Sequence, residues 1–271
     1  MELEIRLCQY RPAVGDVKAN LAKVVDSLGE GLTVFPELFL SGYGADYAAV
    51  QADVQQACGK LEDLARETGK GIIVGAPSYS AQGVANSLYL FAPDRTYRYD
   101  KMHLPDFGEY SESGFVPGEN PVVGFYMGMG IGLGLCYDIF YPELYRTMSL
   151  YGAVVNVCCS ASAERSRPYF EKVLPARALE NTSFTVFCNN VGEVSGHQMF
   201  GGSRVLGPLG DPVSDIVEGE NMVDVKIDVA DLGKARVERP HLEGFRNDFN
   251  WFHMPSGREV RPHPRCGFYQ V

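Results

Sequence analysis

Gly130-Ile131-Gly132-Leu133-Gly134-Leu135-Cys136-Tyr137-Asp138 is the stretch on which both fold and chemistry turn. Its alternation has the period of a strand, which puts three glycines and the thiol on one side and Ile131, Leu133 and Leu135 on the other. Glycine weakens a strand, so three on one face imply that another backbone or a ligand comes close there. The thiol stands at the strand's end, before a helix whose first turn is Pro142-Glu143, and this is where a nucleophile would be presented. The run is not a dinucleotide fingerprint, because Leu133 stands where G-x-G-x-x-G has its third glycine.

Outward from this strand, helices and strands alternate. Towards the N-terminus the pattern predicts a strand over 3–9 and a helix over 16–28, with Val17, Leu21, Val24 and Leu28 at helical spacing and Gly29 just beyond. A short apolar run, Thr33-Val34-Phe35, stops at Pro36-Glu37, so the glutamate lies just past a strand end, where α/β proteins place functional side chains. The Ala-rich stretch 45–67 reads as a helix closed by Gly69, 71–76 as a strand, and 87–92 with 96–99 as a hairpin around Pro93-Asp94. Towards the C-terminus follow a helix over 142–151, a strand over 153–158, a helix over 168–181 and a strand over 183–188. This rhythm predicts layered α/β architecture, and the hairpins require that its sheets be mixed.

With 271 residues, 45% of them apolar and 21% charged, and no repeat or linker, the chain reads as one domain over 1–271. From 245 to 271 its character changes: Trp251, Phe252, Phe268 and Tyr269 sit among prolines, as in an extended tail packed against something. A formal charge of −10 repels phosphate backbones and anionic headgroups, which argues against nucleic-acid and membrane partners. The first residues, Met1-Glu2-Leu3-Glu4, lack the basic flank and apolar core of a signal peptide, so the expected location is the cytoplasm. Seven scattered cysteines, an odd number, read as mostly reduced thiols.

A thiol is largely protonated at neutral pH, so a nucleophilic Cys136 needs a base or a cation beside it. None of the five histidines can be placed there from the sequence, and a carboxylate with an ammonium would serve equally well. Glu37, in Phe-Pro-Glu-Leu-Phe-Leu-Ser-Gly-Tyr, is an acid within an apolar segment, a setting suited to proton shuttling. Lys101, in Asp100-Lys101-Met102-His103-Leu104-Pro105, supplies an ammonium directly after the hairpin.

Three separated motifs, taken together, resemble the nitrilase or carbon-nitrogen hydrolase superfamily from about Leu3 to about Glu238. They are Phe35-Pro36-Glu37-Leu38, then Lys101-Met102-His103-Leu104-Pro105, then Gly134-Leu135-Cys136-Tyr137-Asp138 with Tyr141-Pro142-Glu143; Arg177-Ala178-Leu179-Glu180-Asn181 is a fourth agreement. The resemblance implies a four-layer αββα sandwich with two mixed sheets and a Glu37-Lys101-Cys136 triad. It also implies a second glutamate eleven residues after the lysine, which is Glu112 with Phe115 and Gly118 following; the neighbouring Glu109 fits that spacing less well.

The activity so implied is hydrolysis of non-peptide C–N bonds in small amides, ω-amides or N-carbamoyl amines through a cysteine thioester. The backbone N–H of Tyr137 and Lys101 would hold the developing anion, and Tyr43 and Ser160 are conceivable pocket residues. No cofactor or metal is called for, since Cys158-Cys159 is too tight for a metal clamp and His263 with Cys266 is an isolated pair. The expected partners are a small amide-like substrate and a second copy of the chain, in a homodimer or higher homo-oligomer. Nitrile hydrolysis or acyl transfer would share the thioester. A Cys-His hydrolase using His103 or His197, or an inert binding protein on the same scaffold, are the rival expectations.

Overall fold

The structure is a computed structural model that describes residues 1–107 and 110–245, together with 261–262 and 269–270. The first half runs β1 (Glu2–Gln9), α1 (Val17–Asp26), β2 (Leu32–Val34), α2 (Gln51–Thr68), β3 (Gly71–Ser80), β4 (Gly83–Phe91) and β5 (Thr96–Asp100). After a small pair, β6 (Asp106–Phe107) and β7 (Tyr110–Ser111), come β8 (Val122–Tyr126), β9 (Met129–Leu135), α3 (Pro142–Leu150), β10 (Ala153–Ser160) and α4 (Arg167–Asn181). The chain continues through β11 (Phe184–Asn189), β12 (Val191–Val194), β13 (His197–Phe200), β14 (Arg204–Leu206), β15 (Asn221–Asp228) and α5 (Val229–Glu238). A short pairing of β16 (Arg261–Pro262) with β17 (Tyr269–Gln270) is all that is described of the remainder, so the aromatic-tail expectation for Trp251, Phe252 and Phe268 lies outside the described residues.

Two mixed sheets carry the fold. One has the order β15-β1-β2-β3-β4-β5, with parallel pairing at β1–β2–β3; the other is β14-β11-β10-β9-β8, parallel at β9–β10–β11. Leu3, Ile5 and Leu7 of β1 meet Ile131, Leu133 and Leu135 of β9 in the core between the sheets. On the outer face of the first sheet, Val17 and Val24 of α1 and Val54 and Leu61 of α2 pack over Cys8, Ile72 and Val74. α3 and α4 cover the second sheet, so the layers are αββα. Among the described residues no helix is long and apolar enough to cross a membrane.

The glycine face of β9 is a helix-packing face. A Cβ on Gly132 would collide with Asn156 and Met148, and one on Gly134 with the Tyr145 hydroxyl, so these positions let α3 lie directly on the strand. The alternation stops at Leu135, and Cys136 does not continue it. Its φ of 41° turns the chain left-handed into a 3-10 turn, Cys136–Phe140. A bulky residue avoids that region, and the stored strain is characteristic of functional turns.

Three boundaries differ from the sequence pattern. The helix expected from 45 begins at Gln51, because the Asp46 carboxylate accepts from the Ala49 N–H at 3.1 Å and holds the preceding residues in turns. β3 runs past Pro77 to Ser80, which is tolerated because β2 pairs only with Gly71, Ile72 and Ile73 and leaves that edge without a ladder to interrupt. β4 consequently begins at Gly83, opening a second hairpin with β3.

Candidate active site

Glu37 leaves the carboxyl end of β2 in a left-handed turn, with Leu38 at a φ of 49°, and is fully buried. Its Oε1 accepts from Asn86 Nδ2 and from Lys101 Nζ, each at 2.8 Å, and its Oε2 accepts from the Ala161 N–H at 2.7 Å. Asn86 therefore holds the acid through its side chain and Lys101 through its backbone, since the Lys101 N–H donates to Asn86 O at 2.8 Å.

The Lys101 ammonium, also fully buried, donates a second 2.8 Å bond to Glu112 Oε1, which in turn accepts from the Tyr43 hydroxyl at 3.0 Å. Gly118 lets the loop that carries Glu112 close on this strand end: its N–H donates to Lys101 O at 2.8 Å, and a Cβ there would strike the Asp100 carbonyl. Burial alone would lower the lysine's proton affinity, but the charges of Glu112 and Glu37 outweigh it and hold Lys101 well above its usual 10.5. Burial pushes the Glu112 carboxyl up, against the pull of Lys101.

The second sheet supplies the thiol. Cys136 Sγ lies 3.1 Å from Ser162 Oγ, and Ser162 is 2.7 Å from Ser160 Oγ. Burial, reinforced by the charge of Glu37, pushes the Cys136 thiol up to about 12 against the pull of Lys101 and the two hydroxyls. A thiol so raised keeps its proton near neutral pH. The rate of its conversion to a mixed disulfide by methyl methanethiosulfonate should keep rising with pH to at least 9 without an acidic plateau; a plateau near neutrality would mean a preformed thiolate.

A cleft of about 50 Å³ opens over these groups and is lined by Tyr43, Glu112, Cys136 and Ser162 among others. Tyr137 also lines it, at the start of the 3-10 turn, where the first N–H groups have no partner within the turn. Ser160 is buried and stands behind Ser162, which rather than Ser160 meets the cleft. The structure thus gathers Glu37, Lys101, Glu112, Cys136, Tyr137 and Tyr43 around one place, with Ser160 beneath it. Glu109 lies outside the described residues.

Three contributors were not picked out as site residues from the sequence. Asn86 is one polar residue in a strand, and nothing in its neighbourhood distinguishes it. Ser162 lies two residues beyond the end of β10, and nothing in the sequence sets it apart from Ser160, the last residue of that strand. Asp138 was legible as part of a motif but not as a hub: it accepts from the Tyr99 hydroxyl at 2.9 Å, from the Leu135 N–H at 3.1 Å and from the His103 N–H at 3.1 Å. His103 Nδ1 is 2.8 Å from the same carboxylate, and its ring stacks on Tyr141 with centroids 3.6 Å apart. This knot ties the lysine's segment to the turn behind Cys136.

A pair of facing mixed sheets whose strand ends bring an acid, an ammonium and a thiol together beside one cleft is the architecture of a layered α/β hydrolase. The family model for carbon-nitrogen hydrolases matches residues 4–237, and the chain belongs to that family, the nitrilase superfamily. It is 33% identical to a nitrilase of Pyrococcus abyssi over 76% of this chain and 79% of that one. It is 28% identical to an (R)-stereoselective amidase of a Pseudomonas species over 90% and 92%. A solved variant of an amidase from Nesterenkonia sp. AN1, with the acetamide moiety of fluoroacetamide added covalently at its active-site cysteine, is 27% identical. It superposes with a TM-score of 0.71 over 87% of this chain and 97% of that one.

Proposed function

We propose that this protein hydrolyses the C–N bond of small amides through a thioester on Cys136. Glu37 takes the thiol proton as sulfur attacks the carbonyl carbon, and the carbonyl electron pair moves onto oxygen. Lys101 and the Tyr137 N–H stabilise that oxyanion. Collapse breaks the C–N bond, and Glu37 returns the proton to the departing ammonia or amine. Water then attacks the thioester, giving a proton to Glu37; the C–S bond breaks, the acid leaves and the thiol is reprotonated.

The observation that carries this reading is the pairing at Ala161-Ser162. Glu37 Oε2 bonds the N–H of Ala161, and the next residue's hydroxyl touches the thiol. Oε1 is occupied by two donors while Oε2 has one, so Oε2 keeps a lone pair for the proton. Glu112 Oε2 is buried without a hydrogen-bond partner, which suits it to accept an N–H of the substrate amide while Oε1 positions Lys101. The covalent adduct on the Nesterenkonia amidase's cysteine, in which the acetamide moiety of fluoroacetamide is attached to sulfur, supports a nucleophilic thiol at the corresponding place here. The Cys-His alternative is disfavoured because His103 is engaged by Asp138, and neither His103 nor His197 lines the cleft among the described residues.

Intact-mass measurement during turnover of a panel of primary amides tests the reading. The expected result is an acyl-sized mass increase on Cys136, with ammonia release, both absent in Cys136→Ala. An adduct that persists in that variant, or no adduct and no ammonia across the panel, overturns it. We also propose at least a homodimer: Tyr151, 75% exposed after α3, and Tyr169, 61% exposed on α4, leave apolar surface on one side of the sandwich. A purely monomeric mass in sedimentation at micromolar concentration would overturn that.

A further inference from the structure

The cleft over Cys136 has a chemical character that narrows the acyl group. Its apolar lining is Pro105, Phe107, Tyr137, Phe140, Ala161 and Phe170. Its hydroxyl-bearing residues are Tyr43, Tyr137, Ser162 and Ser166, of which Tyr43 is committed to Glu112, Ser162 to the thiol and Tyr137 to Tyr141. Its one charged lining group is Glu112, an acid, and among the described residues no Lys, Arg or His lines it. Lys101 stands outside the lining, bonded to two carboxylates at 2.8 Å each, and Arg167, next to Ser166, is bonded to the Phe200 carbonyl at 2.9 Å and paired with Glu164 at 3.2 Å.

A carboxylate on the acyl chain would lose its hydration here and gain no cation in return, while facing the charge of Glu112. The volume, about 50 Å³, is far below the roughly 300–1,000 Å³ of ordinary ligand pockets. The enclosed part holds the reacting amide and a short chain, whose end meets the rings of Phe107 and Tyr137, 5.3 Å apart at their centroids.

From this, and resting on the amide-hydrolase reading above, we infer that the site takes uncharged amides with a short apolar acyl group and rejects amides whose acyl chain carries a carboxylate. The basis of rejection is the missing cation and not chain length. Among the ω-amides and N-carbamoyl amines that the family resemblance leaves open, those bearing a free acid are thereby excluded.

Ammonia release from three substrates tests this: butyramide, succinamate, and the methyl ester of succinamate, which removes the charge and is longer by one methyl group, so that any recovery cannot come from a shorter chain. The expected kcat/KM for succinamate is at least about 100-fold below that for butyramide, with the ester recovering most of the loss. Succinamate turned over as well as butyramide overturns the inference and leaves the amidase reading standing. An ester as poor as succinamate also overturns it, because length would then be the cause. No ammonia from any of the three overturns the amidase reading itself and this inference with it.

Ser166→Arg places a cation on the lining, and its folding is checked by thermal melting. It should raise the succinamate-to-butyramide ratio of kcat/KM by at least about 10-fold. A ratio unchanged in the folded variant overturns the assignment of the missing cation as the discriminator.

Discussion

Glu37→Gln will lower kcat for a primary amide by about 10⁴-fold, the upper end of what a positioned proton-transfer group contributes. The effect is large because the resting thiol, pushed up to about 12, carries its proton at neutral pH, and Glu37 is the group placed to remove it. Glutamine preserves shape but not bonding. Its amide nitrogen must face either the Ala161 N–H or the donors Asn86 and Lys101, leaving a buried clash that costs about 1–3 kcal/mol. Ammonia release, with a melting curve as the control for folding, measures both. Residual turnover above a tenth of the parent would show that another base operates. In that event His103→Asn and His197→Asn should be the damaging changes, as the Cys-His alternative requires.

Lys101→Met will reduce both turnover and stability, and the stability loss will depend on pH. Removing the ammonium leaves Glu37 and Glu112 buried and facing each other without compensation, a defect of about 3–5 kcal/mol near neutral pH. In the parent, Lys101 titrates above 10.5, so its contribution is complete below that pH and is lost only as pH rises through the higher folded-state value. In the variant the folded chain binds more protons than the unfolded one, because Glu112, whose carboxyl burial already pushes up, loses the cation that opposed that push. Stability must then fall as pH rises, so the deficit in urea unfolding should shrink between pH 7.5 and pH 5. Losing one oxyanion donor lowers kcat by a further 10²–10³, in order of magnitude. A deficit that does not change with pH would mean that the three groups do not share one buried cluster.

The strand-and-helix rhythm was readable because period two and period 3.6 are local properties of side chains along a backbone. β1, α1, β9, α3 and α4 follow it to within a few residues, and the mixed character of the sheets followed from the hairpin at Pro93-Asp94. The four-layer order and the candidate residues Glu37, Lys101, Glu112 and Cys136 became legible through motifs, each weak by itself.

Other features had no local signature. The bare face of β9 looked from the sequence like room for a backbone or a ligand, and it is filled by Met148 and Tyr145 of α3. The thiol's direction depends on the left-handed turn at Cys136, which strand alternation does not foresee. Asn86 holds Glu37 across 49 positions within the first sheet, a bond that exists only once that sheet has formed, and the Ala161 N–H holds it across 124 from the end of β10, a bond that exists only once the two sheets have stacked.

Backbone propensity and hydrophobic period act over a few residues, so they specify the elements and the face each one buries. Proton affinity, hydrogen-bond partners and the charge of a cleft depend on what is brought within a few ångströms from distant segments. The raised thiol, the doubly paired ammonium and a pocket wall with no cation among the described residues are consequences of that packing alone.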